Sequence, residues 1–416
     1  MWGNLTIFAA LLLTRIMKKM YKYGAWMLCL LMTACTGHKT NDIDVNDTKG
    51  PDWVTLILGS YCSTEEEGIR VYDLNQVTGE VRYRTGYVGV ANPSFVWVTE
   101  DGERLYTVGE EDDPLQSTGN AFRLDLEHDT IVKVNSQCNK AGAACNVILS
   151  PDGRSMLTAS YGSGCITEFP VYEDGSLGEG FVVRFEGHSV NPERQDHPYL
   201  HAVNFTPDGK FLLGNDLGMD QIHVFRLRER AEGDTLPLLS TGTLPLEPMK
   251  ETYHVDVAPG AGPRHLCWAP DGRTAYLLGE LSGQLFVLRY ADDSLSVIQT
   301  VQADTLDGGG SADVHCSPDG RFLYASHRLK GDGISIWSID AVDGTLTRVG
   351  YQTTDVHPRN FGISPNGRLL LCACRDGGGV DIYRRDSITG LLSPMGIEIE
   401  MSRPTCVQMR RNADWD

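Results

Sequence analysis

Six copies of one short turn constrain this chain more than any other feature. They are TEDGERLY (99–106), SPDGRSML (150–157), TPDGKFLL (206–213), APDGRTAY (269–276), SPDGRFLY (317–324) and SPNGRLLL (364–371). Proline presets the backbone for a turn and glycine supplies a positive φ, so Pro-Asp-Gly between apolar runs reads as a hairpin. The copies recur at intervals of 47 to 63 residues. A third apolar run usually follows, as in QIHVFRLR, GQLFVLRY, GISIWSID and GVDIYRRD, and shorter fourth runs such as LSVIQTV and LTRVGYQ come after. Four short strands in a repeat of roughly 50 residues is the pattern of a β-propeller blade. Six blades are visible. A seventh is expected from both ends of the domain: WVTLILGS (53–60) and IRVYD (69–73) with PTCVQMR (404–410). Separate sandwiches would need linkers, and none occurs after residue 52. The expectation is all-β: one seven-bladed β-propeller, residues 52–416.

The first 35 residues differ. From Met17 a basic segment (Lys18, Lys19, Lys22) leads into a short apolar run that ends Met32-Thr33-Ala34-Cys35. This is the pattern of a secretory signal, and its end resembles a bacterial lipobox. Cys35 is therefore the expected lipidation site and mature start. Met17-Lys-Lys is also a better beginning than Met1. The run from Gly24 to Ala34 is too short to span a bilayer. Residues 36–51 are polar and are read as a flexible tether. The expected location is the bacterial cell envelope, periplasm or outer membrane, held by lipid alone.

The formal net charge is −19, and loss of four basic residues with the signal takes it to about −23. That field excludes nucleic acid as a partner. An anionic ligand would need a local arginine cluster. Eleven cysteines are present. Nine remain beyond the signal and Cys35, so they cannot all pair. They are read as free thiols acting as small apolar residues, although one disulfide, such as Cys138 with Cys145, is compatible with export.

Aligning the blades on their turns locates a site. Residues equidistant from a hairpin turn face each other. Six before each turn proline, or the Glu100 that replaces it in the first copy, stand Ser94, Cys145, His201, Arg264, Ala312 and Arg359; ten after it stand Glu110, Tyr161, Leu217, Glu280, Arg328 and Arg375. In a propeller both sets fall at one mouth of the central channel. A His, a Glu and several Arg at matched positions point to chemistry rather than scattered surface charge. Arginines fork onto carboxylate or phosphate oxygens and stabilise an oxyanion, and His and Glu move protons. There is no GxSxG, HExxH, CxxC or EF-hand loop. His197, His201 and Asp216 are the one combination weighed for a metal, and no metal or cofactor is expected.

The stretches RQDHPYLHAVNFTPDGKFLLGNDLGMDQI, GPRHLCWAPDGRTAYLLGELSG, SADVHCSPDGRFLYASHR and HPRNFGISPNGRLLL resemble the seven-bladed lactonase family. That family includes propeller-type 6-phosphogluconolactonases and fungal carboxymuconate cyclases. The likeness runs from about residue 53 to 410. It implies catalytic roles for His201, Arg264, Glu280 and Arg328. Gly279 and His327 stand where the family often has Asn, which bears on substrate identity. The implied function is hydrolysis of a sugar lactone that carries an anionic group, by a monomer without a cofactor. Arg359, Arg375, Asp216 and His265 are the expected substrate-binding residues, with Asp216 placed by hairpin register to orient His201. Two alternatives remain: a lactonising cycloisomerase, and a non-catalytic propeller that binds a ligand or protein at the cell surface.

Overall fold

The computed structural model describes residues 52–411, apart from Glu232 and Leu244. The signal, Cys35 and the tether lie outside the described residues. Twenty-eight strands form seven four-stranded antiparallel sheets. Numbered around the ring from the first strand, blade 1 is closed by the chain's last strand: Pro404–Arg411 pairs with Trp53–Ser60. Blades 2 to 7 each run in sequence from the inner strand outwards. Blade 1 takes its inner strand from the C-terminal end, so it has no hairpin turn there. That is why six turns serve seven blades. The domain is a seven-bladed β-propeller, and no described helix is long and apolar enough to cross a membrane.

The six turns share one geometry. Their glycines all have φ between 64° and 73°, the left-handed region that a side chain resists. In the fourth copy the Gly272 N–H donates to the Ala269 carbonyl and the Ala269 N–H to Thr274, at 3.0 and 2.8 Å. Strand faces then pack blade against blade. The buried apolar residues fall into seven clusters, one at each blade interface. Between blades 5 and 6, for example, Tyr276, Leu278, Leu285 and Val287 meet Val314, Leu323, Ala325 and Trp337.

Two features near the channel position the mouth. First, five inner strands skip one residue in the ladder: Cys145, His201, Arg264, Arg359 and Thr405 have no partner on the second strand. Such a bulge re-aims the side chain. Second, a polar residue in or just before the inner strand of several blades ties its blade to the following one. Asn146 Oδ1 accepts the Val203 N–H at 3.1 Å, Asp313 Oδ2 that of Phe361 at 3.1 Å, and Asn360 Oδ1 that of Val407 at 2.7 Å.

Candidate active site

In six blades one backbone bond draws the bulge region and the end of the second strand together. The N–H groups of Tyr61, Glu110, Tyr161, Leu217, Glu280 and Arg375 donate to the carbonyls of Arg403, Asn92, Ala143, Tyr199, Gly262 and His357, at 2.7 to 3.0 Å. Five of those acceptors have φ between 44° and 67°, and only one of the five is glycine. Strained backbone of this kind persists where the surrounding structure enforces it. The result is a fixed pair of side-chain positions per blade at one mouth.

Blades 4, 5 and 6 supply the centre. Arg264 is 2 % exposed. Its Nε donates to the Ala312 carbonyl at 2.7 Å, and its Nη1 donates both to Glu280 Oε2 at 2.6 Å and to His201 Nε2. Arg328 Nε donates to the Gly310 carbonyl at 2.6 Å, and its Nη2 lies 3.4 Å from Glu280 Oε2. His201 Nε2 is 3.9 Å from the same oxygen. Cys145 Sγ stands 3.7 Å from His201 Nδ1. The structure thus brings His201, Arg264, Glu280 and Arg328 into one buried cluster around a single carboxylate.

A second arch comes from blades 1, 2 and 7. Arg359 Nη2 donates to the Tyr61 hydroxyl at 2.6 Å and its guanidinium lies over the Tyr61 ring. The Tyr61 hydroxyl donates to Glu110 Oε1 at 2.9 Å, and Ser94 Oγ donates to Glu110 Oε2. Arg359 and Glu110 approach to 4.0 Å. Arg375 forks onto its neighbour Asp376 at 2.9 and 2.8 Å. Asp376 also faces His357, which accepts from Arg328 Nη1 at 3.1 Å.

Electrostatics set the protonation states. Burial alone would raise the Glu280 pKa, but Arg264, Arg328 and Arg194 outweigh it and hold it at about 2. Burial, then Arg264 and His265, push His201 well below the ordinary histidine value. Burial and the neighbouring arginines bring Arg328 down to about 9. At neutral pH the centre holds an ionised Glu280, a neutral His201 and more cations than one carboxylate balances.

Asp216 stands elsewhere than the hairpin register predicts. His201 bulges out of the ladder, so Asp216 lies opposite Leu200. No hydrogen bond joins Asp216 to His201 among the described residues. Its Oδ1 accepts the N–H groups of Tyr199, Gly218 and Met219, and its Oδ2 faces His223 Nε2 at 3.2 Å. His265 turns towards blade 6, where its Nδ1 meets Asp313 Oδ1 at 2.7 Å. The combination His197, His201 and Asp216 is not assembled: His197 pairs with Asp196, and no group of three metal-ligating side chains occurs among the described residues. Cys138 and Cys145 are both free, as are the other seven described cysteines. Of the departures from the family pattern, Gly279 has a physical reason: a Cβ there would lie 2.7 Å from the Ala261 carbonyl. His327 is held between the hydroxyls of Ser311 and Ser335, at 2.7 and 2.8 Å.

Sequence alignment on the turns missed two contributors. Tyr61 is the blade 1 counterpart of Glu280, but blade 1 has no turn to align on. Arg194 comes from the loop before the inner strand of blade 4, where no periodicity exists. Its Nη2 reaches Glu280 Oε1 at 2.8 Å.

A closed seven-bladed propeller with a buried His–Arg–Glu–Arg cluster at one mouth defines the class. Comparison with known proteins specifies it: residues 55–409 match the model of the lactonase, 7-bladed beta-propeller family, and the chain belongs to that family. It is 30 % identical over 364 residues to a 6-phosphogluconolactonase of Formosa agariphila, covering 85 % of this chain and 99 % of that one. Among solved structures, a proposed 6-phosphogluconolactonase from Bacteroides fragilis is 41 % identical with a TM-score of 0.80, over 88 % of this chain and 99 % of that one. The periplasmic gluconolactonase of Pseudomonas aeruginosa is 28 % identical with a TM-score of 0.76, over 86 % and 99 %.

Proposed function

We propose that this protein hydrolyses a sugar lactone at the mouth lined by His201, Arg264, Glu280 and Arg328. One observation carries the reading: in a member of the lactonase family, a single ionised carboxylate and a neutral imidazole sit 3.9 Å apart among convergent arginines. The related gluconolactonase and 6-phosphogluconolactonases support the substrate class. Water attacks the ring carbonyl, the ring C–O bond breaks, and the ring oxygen takes up a proton to give the hydroxy acid. Proton transfer falls to His201 and Glu280. Arg264 and Arg328 stabilise the oxyanion and hold the substrate, with Arg359 and Arg375 at the edges of the mouth. The substrate carries an anionic group, because the cations around Glu280 outnumber it. The enzyme is a monomer, exported and lipid-anchored through Cys35; the periplasmic relative supports export.

The test is titration of acid released from a lactone panel by wild type and by Arg264→Ala. Turnover lost in a folded variant supports the reading. Unchanged turnover in Arg264→Ala refutes it.

A further inference from the structure

The two oxygens of Glu280 are held differently. Oε2 is bound by Arg264 and approached by Arg328, and both of those arginines are pinned through Nε to backbone carbonyls of the wall. Oε1 accepts one hydrogen bond, from Arg194. The Arg194 side chain is 40 % exposed, against 3 % for Arg264 and 6 % for Arg328. Its Nη2 also donates to the Tyr161 hydroxyl at 3.3 Å. Its Nε and Nη1 make no hydrogen bond among the described residues and are not buried.

The backbone beneath it is fixed. Gln195 is fully buried, its Nε2 donates to the Leu217 carbonyl at 2.9 Å, and its Oε1 accepts the Asn191 N–H at 3.1 Å. Asn191 Oδ1 in turn accepts the Arg194 N–H at 3.2 Å. Arg194 is therefore a long, exposed cation on a rigid base, with Nε and Nη1 uncommitted and only Nη2 engaged. Once Nη2 lets go of Glu280, its freed hydrogen completes a two-donor edge that suits the two oxygens of a phosphate or carboxylate. The other outlying arginines are already balanced, Arg359 by Glu110 and Arg375 by Asp376. Arg194, Arg264 and Arg328 share the one carboxylate of Glu280.

We infer that Arg194 is the specificity-determining residue of this lactonase, a clamp that leaves Glu280 to grip a phosphate or carboxylate carried by the lactone away from its reacting carbonyl. The inference rests on the proposed lactone hydrolysis. Its exchange has a second consequence: when Arg194 moves to the substrate, Glu280 Oε1 is released to the reacting centre. Anion recognition and exposure of the carboxylate are then one movement.

The test compares kcat/KM of wild type, Arg194→Gln and Arg194→Lys on three lactones: 6-phosphogluconolactone, a carboxylated glucarolactone and neutral gluconolactone. Wild type prefers one or both anionic lactones, and the preferred one identifies the anion. In Arg194→Gln the preference falls at least tenfold, mainly through KM, and Arg194→Lys restores part of it. A wild type that does not favour an anionic lactone overturns the inference. So does a preference that changes less than twofold in Arg194→Gln with the fold intact by circular dichroism. If no lactone is turned over, the hydrolase reading itself fails. Calorimetric binding of 6-phosphogluconate then decides the clamp separately: tenfold weaker binding to Arg194→Gln supports it, and equal affinity overturns it.

Discussion

Glu280→Gln removes the charge on which three arginines converge, and the structure sets the size of the effect. The folded state moves the Glu280 pKa from 4.5 to about 2. At ~1.36 kcal/mol per unit the ionised form is favoured by about 3 kcal/mol. The pKa is depressed in the folded state, so this stability is fully present above the unfolded value of 4.5 and is lost as pH falls towards 2. Glutamine keeps the shape but not the charge, and it leaves Arg264 and Arg328 buried with less compensation. At pH 7 the variant should be less stable by about 3 kcal/mol. With an unfolding entropy of about 2.1 cal/mol/K per residue, that lowers the Tm of a domain of roughly 360 residues by about 4 °C. Thermal unfolding followed by circular dichroism between pH 7 and pH 3 reads it directly. The gap between wild type and variant should narrow as pH falls below about 5. A variant as stable as wild type at pH 7 would refute the account of Glu280 as the charge hub of the mouth.

Other consequences can be read from single contacts. His201 is held neutral well below the ordinary histidine value, so kcat/KM should show no inflection near pH 6.5; a titration there would contradict the burial of its ring between Arg264 and Cys145. Asn146→Ala strands the buried Val203 N–H and should cost about 1–3 kcal/mol in denaturant unfolding. Gly153→Ala meets no atom within 4 Å but forces a side chain into φ 69°, so it should cost about 1–2 kcal/mol with turnover retained. A chelator such as EDTA should leave turnover intact, and strong inhibition would point to a metal held in some other way.

The turns made the architecture legible because a glycine that follows Asp or Asn in the same short turn, repeated six times, marks a left-handed position. Six such turns fixed the blades and, by counting outwards, brought out His201, Arg264, Glu280 and Arg328. Counting failed where the ladder itself departs from regular pairing. The bulge at His201 shifts the facing residue by one, so Asp216 meets His223 and backbone amides rather than the imidazole. Tyr61 escaped because the blade that carries it closes with the distant strand Pro404–Arg411 and needs no hairpin. Arg194 sits in a loop whose path is set by the buried Gln195, a side chain that has no periodic signature.

The most direct measurement is acid release from gluconolactone, 6-phosphogluconolactone and related lactones by the soluble chain from residue 36. Wild type would be compared with His201→Ala and Glu280→Ala. Turnover by wild type that is lost in both folded variants is the predicted result. A folded wild type that opens no lactone, or variants that open it as fast as wild type, would contradict a hydrolytic site at this mouth.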